Sequence, residues 1–168
     1  VETSTLAELQ SVVLFYKDGT KSRNDLRVSV LENYISICKR YENHFVLELK
    51  SDFTEDEISK IVDIINGLGY LDNVTFIAFN YQNLVKVRAI YPAASAQFLF
   101  MEITDEIIER LTADKIDVDV QYKALSKEMI DKLHSLGIKV NCWTVDDKET
   151  AEQLCEWGVD YITSNILE

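Results

Sequence analysis

A chain of 168 residues, 47% hydrophobic and 27% charged, is long enough to fill one core and too short for two, so a single globular domain is expected. Its 29 acidic residues against 17 basic ones leave a formal net charge of -12, and no Lys/Arg cluster supplies the basic face that a nucleic acid requires. Cys38, Cys142 and Cys155 form no CxxC or Cys/His spacing, which excludes a disulfide framework and a zinc site and favours a reducing compartment such as the cytoplasm.

No apolar run approaches the roughly 18 residues of a membrane span, and no charged-then-apolar leader opens the chain. Its first residue is Val1 and not Met. The expectation is a processed or trimmed chain whose upstream part would carry any signal or membrane anchor.

Residues 1–27 lack the rhythm of the rest of the chain. "SVVLFYKDGTKSRNDLR" offers an irregular strand-like run, an Asp18-Gly19 turn signal and a polar stretch, and it reads as a loop or inserted excursion. "VSVLENYISICKRY" returns to helical spacing, with Val30, Tyr34, Ile37 and Cys38 on one face.

From there to residue 168 the chain alternates. "FVLELK" (45–50) is a strand whose Glu48 and Lys50 leave on the side opposite Leu47 and Leu49. In "TEDEISKIVDIINGLGY", Thr54 and Glu57 have capping-box spacing, Ile58, Ile61, Val62, Ile65 and Leu68 recur at helical intervals, and Gly69 ends the helix. "VTFIAF" (74–79) is a buried strand, followed by a helix with Leu84, Val87 and Ile90 on one face and Pro92 as its stop.

"SAQFLF" (95–100) and a short helix in "TDEIIERL" come next, then the strand "KIDVDVQY" (115–122). A helix from Ser126 turns Met129, Ile130, Leu133 and Leu136 inward and stops at Gly137. "IKVNCWTV" (138–145) is a fifth strand, Asp146 or Asp147 caps a helix holding Ala151, Leu154 and Cys155, and "VDYITSNI" (159–166) is a sixth.

Six strands separated by helices predict βα units and a parallel sheet. Five glycines with no GxGxxG or P-loop pattern argue against a nucleotide-binding open sheet. A (β/α)8 TIM barrel takes about 250 residues, with about 200 as a floor. The expectation is therefore an incomplete barrel with about six of its eight units.

Barrel strands point their C-terminal ends at the active-site mouth, where Glu48 and Lys50 fall. From pattern alone two readings stand: functional charges at that mouth, or an ion pair satisfied at a sheet end, since an unpaired buried charge costs roughly 3 to 5 kcal/mol. Trp143 raises a similar pair of alternatives, because a large aromatic late in a buried strand is either core packing or a pocket wall.

Four segments in order, "HFVLELKSD", "FIAFNYQNL", "GIKVNCWTVDD" and "WGVDYITSN", resemble the glycerophosphodiester phosphodiesterase family, as do "STLAELQ" and "RVSVLENYISICKRY" near the start. The resemblance implies a (β/α)8 barrel and a phosphoric diester hydrolase of glycerol and lipid metabolism, splitting glycerophosphodiesters into glycerol phosphate and an alcohol. It implies Glu48 as a ligand of a divalent metal, Mg or Ca, for which a carboxylate is a suitable hard donor. Lys50 then contacts the substrate phosphate and Trp143 lines the pocket for the alcohol or glycerol moiety. Phe79 falls in a Ser-Phe-Asp-like turn of the family, although Ala78 and Asn80 depart from it.

The family's HRG, ExD and HD motifs, which carry two proton-transfer histidines and two further carboxylate ligands, do not occur in this sequence. His44 precedes its strand and His134 falls on an outer helix, so neither replaces them. No catalytic residue is therefore assigned within the chain, which is expected to be inactive alone while the intact protein is active. Asp146 stands where the family often has Asn, and "TSNI" where it has Thr-Asp-x-Pro, adding a carboxylate near the mouth and loosening the phosphate end.

Two alternatives remain. A non-catalytic truncated barrel would serve as a binding or assembly module, its open sheet edges pairing two copies into a homodimer. A different phosphate-binding barrel would apply if the ELK and WTV matches were coincidental.

Overall fold

The computed structural model describes residues 2–20 and 26–167, in two compact units, residues 1–43 and 44–168.

The first unit carries a helix inside the stretch expected to be loop. This helix, α1 (Leu6–Ser11), exists because Thr5 and Glu8 form a reciprocal capping box: Thr5 N donates to Glu8 Oε2 at 2.7 Å and Glu8 N donates to Thr5 Oγ1 at 3.3 Å. The Asp18-Gly19 signal does form a turn. Gly19 takes φ +80°, a left-handed conformation that suits glycine, and Asp18 Oδ1 accepts from Thr20 N and Oγ1. The polar stretch at 21–25 lies outside the described residues.

Helix α2 (Leu31–Arg40) corrects the expected face. Ile35 and Cys38 are buried, whereas Tyr34 and Ile37 are more than half exposed and Val30 is half-buried. Leu31, Ile35 and Cys38 follow the i, i+4, i+7 spacing equally well, and that stripe is the one the fold covers.

The second unit is a run of βα steps: β1 (Phe45–Glu48), α3 (Glu55–Gly67), β2 (Val74–Ala78), α4 (Tyr81–Ile90), β3 (Ser95–Phe100), α5 (Asp105–Asp114), β4 (Asp117–Gln121), α6 (Lys127–Ser135), β5 (Val140–Trp143), α7 (Lys148–Trp157) and β6 (Tyr161–Ile162). All pairings are parallel and the sheet order is β1-β2-β3-β4-β5-β6. Each helix begins at a side chain that accepts a hydrogen bond from its first turn: Thr54, Asn80, Thr104, Ser126 and Asp147.

Strand side chains divide by alternation. Phe76, Val118, Val120, Val140 and Cys142 are buried, as are Ile58, Ile65, Leu84, Leu111, Ile130, Leu133 and Leu154 of the helices. Each such aliphatic or aromatic residue contributes about 1.5–3 kcal/mol on burial. Leu136, expected to be inward, is exposed, and so is Cys155 on α7. Leu136 follows the last helical residue of α6, where the chain turns through Gly137, and Cys155 sits beside the buried stripe that Leu154 occupies.

The opposite strand face turns inward. Glu48, Ile77, Leu99, Asp119 and Trp143, from β1 to β5, and Thr163, just after β6, all line one cavity of about 200 Å³. A flat sheet of six strands would spread those positions over more than 20 Å at about 4.8 Å per strand, so the sheet is curled around them.

Candidate active site at the C-terminal mouth of the sheet

Glu48 is the last residue of β1 and its side chain is about one-third exposed at the cavity. Lys50, two residues on and largely exposed, brings its Nζ to 3.3 Å from Glu48 Oε2. The ion pair and the mouth location, alternatives in the sequence, hold together. An exposed pair of this kind stabilises the fold by at most about 1 kcal/mol, so it does not by itself account for the two charges.

The loop that carries Lys50 is held by a residue that sequence reasoning missed. Asn83, fully buried in α4, donates from Nδ2 to the carbonyls of Leu49 (3.3 Å) and Ser51 (2.7 Å), and its Oδ1 accepts from Phe53 N at 3.1 Å. Lys86, one helical turn later, donates to the Phe53 carbonyl. The only hint in the sequence was an amide on the apolar side of a helix, with partners some 30 positions away.

Phe79 comes just after β2 and meets Trp143 edge to face, with centroids 5.8 Å apart and planes at 80°. Trp143 is fixed from its other end, where Nε1–H donates to the Asp119 carbonyl at 3.2 Å. The Trp143–Thr144 peptide is cis.

Asp119 was also missed. Its side chain lines the cavity at 1% exposure, and Oδ1 has no hydrogen-bond partner among the described residues. Burial, with a smaller contribution from the charge of Glu48, pushes its carboxyl up to about 7. Cys142 on the neighbouring strand is pushed up to about 12, mainly by burial, which makes it an inert thiol and no nucleophile.

Both histidines lie away from this mouth. His44 lines a second, larger cavity of about 620 Å³ at the N-terminal ends of the strands, where Nε2 is 2.8 Å from Thr75 Oγ1. In the same cavity Asn141 Nδ2 donates to Gln97 Oε1 across the intervening strand at 3.0 Å. His134, on α6, pairs with Asp160 at 2.9 Å. Among the described residues no group of three or more His, Cys, Asp and Glu side chains gathers around one point, so Glu48 and Asp119 are the carboxylates that this cavity offers a cation.

Asp146 and "TSNI", separate oddities in the sequence, are partners. Asp146 accepts from Ser164 Oγ, Asn165 N and Asn165 Nδ2 at 2.7–3.1 Å, bonds that hold its carboxyl below the usual range. The terminal segment is thus tied to the start of α7 and not loosened, and the added carboxylate is already engaged. Strand β6 has two residues where eight were expected; backbone bonds to the β5 segment continue through Thr163, whose N donates to the Cys142 carbonyl and whose carbonyl accepts from Val145 N, and the Asp146 tie follows directly after them.

The profile of the glycerophosphoryl diester phosphodiesterase family matches residues 3–167. The chain belongs to that family. A glycerophosphodiester phosphodiesterase of Bacillus subtilis is 25% identical over 152 residues, covering 83% of this chain and 52% of that relative. The chain therefore spans about half the length of this family member. Among solved structures, a phosphodiesterase of Oleispira antarctica in complex with sn-glycerol-3-phosphate has a TM-score of 0.86 at 21% identity, covering 98% of this chain and 68% of that one. A glycerophosphodiester phosphodiesterase of Parabacteroides distasonis has a TM-score of 0.79 at 24% identity, with the same coverages of 98% and 68%. These likenesses support the family's α/β architecture with six consecutive parallel strands.

Proposed function

We propose that the intact protein is a phosphoric diester hydrolase that splits glycerophosphodiesters into glycerol phosphate and an alcohol, and that the six strands are six of the eight of a (β/α)8 barrel. The observation that carries this reading is the convergence of Glu48, Phe79 and Trp143 at one cavity, with Lys50 paired to Glu48 at its rim. Glu48 is an oxygen donor to a divalent cation, Mg or Ca, and Lys50 is the point charge for the phosphate. Trp143 and Phe79 form the wall against the carbon skeleton. The cation, when bound, supplies Lewis-acid polarisation of the phosphodiester.

Among the described residues no histidine stands at the mouth to move protons, because His44 and His134 occupy other places. The 168 residues alone are expected to be inactive, with activity in a longer product of the gene that brings histidines to the mouth. The test is divalent-metal-dependent hydrolysis of glycerophosphocholine by both products. Turnover by the short chain would refute the absence of essential groups, and inactivity of the longer product would refute the hydrolase reading.

A second reading, a non-catalytic assembly module, is favoured by one observation: among the described residues β1 and β6 are the end strands of the sheet, with Val46 and Tyr161 about half exposed. A homodimer would cover those edges. Sedimentation tests it, a monomer at high concentration counting against it. The three free cysteines, two of them buried, support a cytoplasmic location, and among the described residues no helix is long and apolar enough to cross a membrane.

A further inference from the structure

Asp119 has no part in the proposed hydrolase chemistry, yet it is the most costly group in the cavity. A carboxyl at 1% exposure with an unpartnered oxygen is unfavourable in its ionised form unless something binds it. Its surroundings supply no partner for that oxygen: Ile77, Leu99 and Phe79 are apolar, Trp143 spends its side-chain donor on the Asp119 backbone carbonyl, and Thr144 and Thr163, which also line the cavity, do not bond to Asp119 Oδ1. The charge that does face it is Glu48, of the same sign. Lys50, the cation bonded to Glu48, is itself largely exposed.

Two carboxylates opening on one small, mostly apolar cavity repel each other and would repel an anionic phosphodiester. A divalent cation bound by both reverses both effects, because hard oxygen donors are the ligands it requires, and low surrounding polarity strengthens its hold. We propose that Asp119 is a second carboxylate of the cation site, sharing with Glu48 one divalent ion across the mouth. The proposal rests on the reading of Glu48 as an oxygen donor and adds a residue from β4, three strands along the same sheet. Asp119 then also positions Trp143, since the carbonyl of the same residue orients the indole that walls the cavity.

The test uses the 168-residue chain with terbium as a calcium surrogate, exciting tryptophan and reading sensitised lanthanide emission, with calcium as competitor. The wild type is expected to saturate. Asp119→Asn and Glu48→Gln are each expected to weaken binding at least about tenfold, and emission lifetimes in light and heavy water should show an extra coordinated water in Asp119→Asn. An exposed control, Asp131→Asn, should leave both readouts unchanged. Weakened binding in Glu48→Gln with unchanged affinity and hydration in Asp119→Asn would overturn the proposal while sparing Glu48. No sensitised binding by the wild type, or none affected by either change, would overturn both assignments. The wild-type melting temperature at pH 8 gives a readout that needs no variant: millimolar calcium should raise it, and no rise would overturn the shared site.

Discussion

Replacing Asp119 by Asn in the absence of divalent cations should change how stability depends on pH. The carboxyl is raised from 3.8 to about 7 in the fold, by burial first and by Glu48 second. Between those values the native state holds a proton that the unfolded chain has released, so the stability this proton confers is greatest at low pH and is lost as pH rises through 7. At about 1.4 kcal/mol per pH unit, the window amounts to about 4 kcal/mol, and at 1% exposure solvent screening removes little of it.

The amide of the Asp119→Asn variant does not titrate, so chemical denaturation of both proteins from pH 4 to 8, in chelator, should show wild-type stability falling relative to the variant by about that amount. Exposed carboxylates held low by hydrogen bonds, such as Asp105 and Asp147, titrate in the opposite sense below pH 4 and cancel in the comparison. A difference that stays constant from pH 5 to pH 8 would refute the buried, unpartnered carboxylate, and the role argued for it with it.

Asn83→Ala should destabilise the protein by about 3 kcal/mol, because three hydrogen bonds vanish and their backbone partners stay buried; amide exchange at Phe53 should accelerate more than at residues of β4. Thr54→Ala removes the N-cap of α3 and should cost about 1 kcal/mol, read as a lower denaturation midpoint with unchanged slope. Asp146→Ala and Asn165→Ala should be non-additive in a double-mutant cycle monitored by thermal melting, the second change adding little once the first is made; simple additivity would refute the tie.

The strands and helices of residues 44–168 were legible because each helix opens on a Ser, Thr, Asp or Asn cap and each strand is short and apolar. Glu48 stood out because a charged pair interrupts "FVLELK". Asp119 did not, and the reason is geometric. In "KIDVDVQY" the acids at 117 and 119 alternate with valines, a pattern shared by any strand with one face in water. Only curling of the sheet turns that face onto a cavity, and curling is a property of six strands together. Asn83 and the Asp146–Asn165 tie were hidden by distance along the chain: a polar side chain declares its chemistry, not its partner. The face of α2 was misjudged because two apolar stripes fit the same period.

The order β1-β2-β3-β4-β5-β6 has a consequence for how the protein is made. Every strand pairs with the one just before or after it in the chain, so no segment must wait for a distant one to be synthesised. Each βα step emerging from the ribosome meets a finished edge one unit back and can dock on it, which keeps loop closure short for a parallel sheet. The Asp146–Asn165 tie joins residues 19 apart, so the mouth on the β6 side is locked by the same short-range logic, as soon as the segment after β6 has been made.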